Sequence, residues 1–144
     1  MVSVTQSSLL DDSWKILFDH LQTGTYAIAT NNIYSAFPDT INITYPVVVI
    51  EPPRVSSRIV GMNGSIRHND VVLNVSVYHN SAENLKTLAD DVIHQVINGR
   101  SVLHTAGLFN VEIGDTDYDW WREGQKKVHV CNIPVKCSRE GAQS

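Results

Sequence analysis

Cysteine is scarce in this chain: two residues among 144, too few for a disulfide framework. Cys131 and Cys137 stand in one stretch, VHVCNIPVKC. Six residues of strand span about 20 Å, while a disulfide needs Cα atoms about 4.4–6.8 Å apart. Both are therefore expected to be small, buried fillers. A basic surplus is missing too. Lys and Arg number 11 against 15 Asp and Glu, a formal net charge of −4. That argues against a protein that wraps nucleic acid, though not against one that lets DNA slide past. No run approaches the ~18 apolar residues of a membrane span. The opening MVSVTQSSLLDDSW has neither the basic start nor the apolar core of a signal peptide, so a cytoplasmic origin is expected. The three N-glycosylation patterns at Asn42, Asn63 and Asn74 then read as chance in an Asn-rich chain.

Catalytic signatures are equally absent. There is no HExxH, CxxC, GxSxG or GxGxxG, and GMNG lacks the lysine of a phosphate loop. His129 and Cys131 share a strand face, but nothing identifies a third group to orient them. The chain is expected not to be an enzyme and to need no cofactor. DTDYDWWREGQKK (115–127) is the one stretch that invites a metal reading, because Asp115, Asp117 and Asp119 follow the spacing of a calcium loop. Trp120 then stands where that loop needs Gly, and Lys126 where it needs a bidentate Glu. Alternating acids are also how the wet face of a strand looks, so no metal site is assigned.

What is present is an ordinary globular composition, 42% hydrophobic and 18% charged. A chain of this length buries roughly 68–70% of its unfolded surface without staples. One domain is expected over 1–144, ordered from about residue 8 to 138, with SREGAQS a disordered tail. In LLDDSWKILFDHLQTG, Asp11, Asp12 and Ser13 suit a helix start. Trp14, Leu17, Phe18 and Leu21 form one apolar stripe, and Gly24 is a stop. The stretch 25–44 reads mostly as loop. YPVVVIEPPRV is a β-branched run between prolines, a short strand buried on both faces. SSRIVGMNGSIRHND predicts a bulged strand with a turn at His68-Asn69-Asp70. VVLNVSVYHN alternates as a strand with one covered face. In SAENLKTLADDVIHQVINGR, Ser81 caps a helix whose stripe runs from Leu85 through Val96 to Ile97, ending at Asn98-Gly99 in a left-handed cap. SVLHTAG adds a turn that stops at Gly107. The last third predicts two strands folded back at Arg122-Glu123-Gly124-Gln125, with Pro134 at an edge or where no amide is needed.

Helices and strands are thus segregated. The expected class is α+β: a mostly antiparallel, mixed sheet of four to five strands, with two main helices on one face and a long C-terminal β-hairpin. Near the hairpin tip, Tyr118, Trp120, Trp121 and Arg122 match the make-up of protein contact sites. They are the candidate interface with other subunits or with a tube.

The order of these pieces, above all the YPVVVIEPPRV strand and the passage from VVLNVSVYHNS into SAENLKTLADDVIHQVINGR, resembles the tail terminator (tail completion) proteins of long-tailed phages and related tailed viruses. The resemblance covers about residues 10 to 138. It implies a structural virion protein, a homohexameric ring capping the tail tube, ending its growth and joining it to the head–tail connector. DNA would pass through the lumen unread, and the protein would sit in the tail–neck region after assembly in the host cytoplasm. The alternatives are another neck, head–tail adaptor or minor tail protein, or a small metal- or ligand-binding domain using Asp115–Asp119.

Overall fold

Two long strands with alternating apolar residues form the spine of the fold. The computed structural model describes residues 9–22, 33–34, 45–60 and 66–142. The elements run α1 (Leu9–Gln22), β1 (Ile33–Tyr34), β2 (Val47–Ile50), β3 (Arg54–Val60), β4 (Ile66–His79), α2 (Ala82–Asn98), α3 (Arg100–Ala106), β5 (Phe109–Ile113), β6 (Asp117–Glu123) and β7 (Lys126–Ala142). β4 and β7 pair antiparallel without a break from Ile66↔Ala142 to His79↔His129. Val71, Leu73, Val75 and Val77 of β4, and Ile133, Val135 and Cys137 of β7, are turned to one face and buried there.

The three helices cover that face. Leu85, Leu88, Ala89, Val92 and Val96 of α2 enter the same core as Leu17 and Leu21 of α1 and Leu103 of α3. Ser81 caps α2, its Oγ accepting from the Asn84 amide at 3.4 Å. Trp14 stacks on Phe18, ring centroids 4.7 Å apart, and its indole Nε1 donates to the Ile50 carbonyl at 2.6 Å, tying α1 to the end of β2. No helix among the described residues is long and apolar enough to cross a membrane.

The class is α+β with a mixed sheet, as the segregated pattern predicts, but the sheet has seven strands. The higher count has a simple cause: each flank of the spine is built in two pieces. On one side β2 pairs with Val75–Tyr78 and β3 with Ile66–Val72 of the same β4, separated by Glu51-Pro52-Pro53. On the other, β6 pairs with Lys126–Asn132 and β5 with Val135–Ser138 of β7, separated by Gly114-Asp115-Thr116. β1 adds a two-residue parallel strand outside β2. Both breaks fall beside the Asn74↔Pro134 pair. The Pro134 carbonyl accepts from the Gly114 amide at 2.8 Å, so the side on which proline lacks a donor faces the gap between β5 and β6. That is how an interior strand accommodates this residue.

Several expectations are corrected. Asp11, Asp12 and Ser13 lie inside α1, which begins at Leu9; the stop at Gly24 lies outside the described residues. His68, Asn69 and Asp70 lie within β4 and do not turn, because β3 and β4 stay in register up to Val60↔Ile66. Ser138 to Ala142, expected as a loose tail, extend β7 against Ile66–Asp70, with Ser138 and Arg139 buried. Gly107 does end α3 in the left-handed region, at φ 115°. Gly99 does not; its φ is −93°. It is needed for space instead, since a Cβ there would lie 2.1 Å from the His20 ring. Ile97, placed on the apolar stripe, is 37% exposed.

Candidate functional site

The β6–β7 hairpin extends past the end of β4, and its turn decides which residues share a face. Glu123 and Lys126 are partners across the loop Gly124-Gln125, one residue beyond the expected reversal. Of the two loop residues only Gly124 has a positive φ, 65°, the pattern of a type II′ turn. Counting back from it, Tyr118, Trp120 and Arg122 fall on the face that carries the helices. Asp117, Asp119 and Trp121 fall on the opposite one.

The four candidate interface residues therefore separate. Tyr118 and Trp120 are 54% and 46% exposed, and Arg122 is exposed beside them. Lys127 lies over the Trp120 ring, Nζ 4.1 Å from the centroid. Tyr118 stacks on His129 and its hydroxyl is hydrogen-bonded to His129 Nδ1. Burial of His129 holds its pKa below the ordinary value, helped by the charges of Lys127 and His79. The imidazole is thus kept neutral and able to accept from the phenol.

Trp121 belongs elsewhere. It meets Tyr78 edge-on, centroids 5.6 Å apart, on the helix-free face. Val128, its partner on β7, and Val130 beside it are buried on this face. Trp121 is half-buried and part of the packing.

Two of the three acids have structural partners. Ser76 Oγ donates to Asn132 Oδ1, and Asn132 Nδ2 to Asp117 Oδ1, both at 2.7 Å. This polar ladder crosses β4, β7 and β6. Asp119 Oδ1 accepts from the Trp120 amide at 2.8 Å, and Asp115 lies in the link before β6. Among the described residues no three His, Cys, Asp or Glu side chains are grouped to hold a metal ion. A groove of about 280 Å³ between β4, β7 and β5 carries both charge signs, from Asp70, Glu112 and Lys136, with His68 beside them. Its His68 Nε2 and Asp70 Oδ1 are 3.0 Å apart.

Cys131 and Cys137 are free. Burial raises both thiols, Cys137 to about 12, so neither is a ready nucleophile.

No protein-family model matches the sequence, and no curated protein matches it. A solved structure does: a chain of the "Virion of native gene transfer agent (GTA) particle" superposes with a TM-score of 0.62 at 12% identity, over 89% of this chain and 94% of that one. The two chains share a fold. The match takes in nearly the whole length of both.

Sequence reading missed Lys127, exposed over Trp120, and His129, buried beneath Tyr118 on the same face. The signal was available: once the Gly-Gln pair is taken as a two-residue II′ loop, counting outward sets Trp120 opposite His129.

Proposed function

We propose that this chain is a structural protein of a tailed virus-like particle, and within it the tail terminator. It forms a homohexameric ring that caps the tail tube, ends tail growth and joins the tail to the head connector around the DNA channel. The observation that carries this reading is the fold shared, almost end to end, with a chain of a gene transfer agent virion. The order of elements that resembles tail terminators supports the finer assignment.

The chemistry suits the role. A net charge of −4 leaves little to hold phosphates electrostatically, and a lumen that passes DNA must release it. Tyr118, Trp120 and Arg122 offer large, weakly hydrated contact groups on a projecting hairpin, the kind that dominates protein interfaces. The protein works by fitting against copies of itself, the tail tube protein and the neck, with no bond made or broken. In this reading it resides in the tail–neck region of the virion and assembles in the host cytoplasm.

Mixing the full chain with purified tail tubes and imaging by negative stain tests the proposal. The expected result is ring-shaped density at one end of each tube and an arrest of tube extension. Tubes that stay uncapped, with binding only to isolated head connectors, would move the protein to another neck position.

A further inference from the structure

Two edges of the sheet match each other. Among the described residues β3 pairs with β4 alone and β6 with β7 alone, so each presents an open row of backbone groups. Both strands are seven residues long. β3, RVSSRIV, carries two arginines and no acid; β6, DYDWWRE, carries three acids and one arginine.

We propose that β6 of one copy pairs with β3 of a second copy, antiparallel, with Arg54 opposite Glu123 and Arg58 opposite Asp119. The inference deepens the ring reading above and rests on it for the number of copies.

Strand direction fits first. β3, β4, β7 and β6 alternate in direction across the sheet. A neighbour set alongside in the same orientation therefore brings its β3 antiparallel to β6. Backbone parity fits next. The Asn74 carbonyl accepts from the Glu51 amide, so even-numbered residues of β4 direct their backbone groups toward β2 and β3. Their partners Arg54, Ser56, Arg58 and Val60 turn inward, leaving Val55, Ser57 and Ile59 to direct theirs outward. On β6 the two-residue loop makes Glu123 and Lys126 the closing pair. Trp121 and Asp119 then turn inward as well, and Arg122, Trp120 and Tyr118 outward. In the proposed register Val55, Ser57 and Ile59 stand opposite Arg122, Trp120 and Tyr118, so outward groups meet outward groups at all three positions.

The Trp120 amide is held by Asp119 in the single chain. Pairing exchanges that bond for one to the neighbouring strand and gives the carboxylate an arginine. Such edge-to-edge addition takes affinity from the backbone and selectivity from side chains. A head-to-tail junction of this kind closes into a ring when its rotation permits. Trp120 lies level with His79 on β4, and Ser57 level with Asn69. Successive copies are thus staggered by about 34 Å along the strands, and strands in a closed ring lie steeply inclined to its axis.

Charge exchange tests the junction in the full chain. Arg54→Glu with Arg58→Glu, and separately Asp119→Lys with Glu123→Lys, should each weaken self-association roughly tenfold or more, since like charges then stand opposite. Thermal melting checks that each variant is folded. An equimolar mixture should recover assembly in light scattering, because alternating copies restore opposite charges at every junction. Wild-type-like association of either variant, a mixture that stays monomeric, or a wild type monomeric at every concentration would overturn the pairing. Tubes capped equally well by every variant keep the terminator reading and remove this junction. Wild type that associates through it yet leaves tubes uncapped does the reverse.

Discussion

Gly99→Ala should destabilise the protein, although its backbone angles say the opposite. At φ −93° and ψ 12° alanine fits without strain. Loss of unfolded-state freedom alone would then stabilise by about 0.4–1 kcal/mol. Against this, the new Cβ would stand 2.1 Å from Cε1 and Nε2 of His20 and 2.9 Å from the Gln95 carbonyl oxygen. The His20 ring cannot easily swing away. It is buried, and its Nε2, which must carry the proton because a carbonyl only accepts, donates to Gln95 O at 2.8 Å; Gln95 Nε2 returns a bond to the His20 carbonyl at 3.2 Å. Overpacking costs about 1–3 kcal/mol and a lost hydrogen bond about 1 kcal/mol. The net expectation is a loss of about 1–3 kcal/mol, read by urea unfolding or as a fall in Tm of roughly 2–10 °C. In a His20→Ala background the same change should be neutral or stabilising, since the clash is gone. Equal destabilisation in both backgrounds, or none in either, would refute the assignment of Gly99 to close packing.

Trp120→Ser should leave Tm nearly unchanged while weakening assembly. Trp121→Ser should cost about 2–4 kcal/mol through lost burial and the Tyr78 contact; a reversed order in thermal melts would contradict the face assignment. Stability should fall as pH drops below about 6.5, where the unfolded chain takes up a proton that folded His129 resists. His129→Gln should flatten that limb of the stability–pH curve. Cys137 should resist a disulfide reagent at pH 8 until the chain unfolds, with its thiol pushed up to about 12; fast native labelling would show that its strand opens.

Much of this was legible from local pattern. The alternation of Val71 to Val77 and the stripe of α2 depend only on residue spacing, and both elements formed where spacing put them. Features set by distant partners were not. Trp121 differs from Trp120 because register brings Tyr78, more than forty residues earlier, beneath one of them. Gly99 does end α2, as its place in the sequence suggests, but not by the left-handed route; that it is needed for space is something nothing local reports, because His20 is distant in the chain. Pro134 suited either an edge or a place where no amide is needed, and only the pairing shows that it is the second, on an inner strand beside the gap between β5 and β6. The seven strands were undercounted because each flank is divided at a break whose alignment depends on pairing.

That shared break has a mechanical consequence. At the level of Asn74 and Pro134 both flanks are interrupted at once, with the Glu51 and Gly114 amides bonded to those two residues between the ladders, and a break with extra residues on the outer strand bends and twists a sheet locally. The half bearing β6 and the half bearing β3 are therefore joined at a bend that runs across the whole sheet. Such a bend sets the angle between the two rims, and with it the curvature that a row of copies would trace.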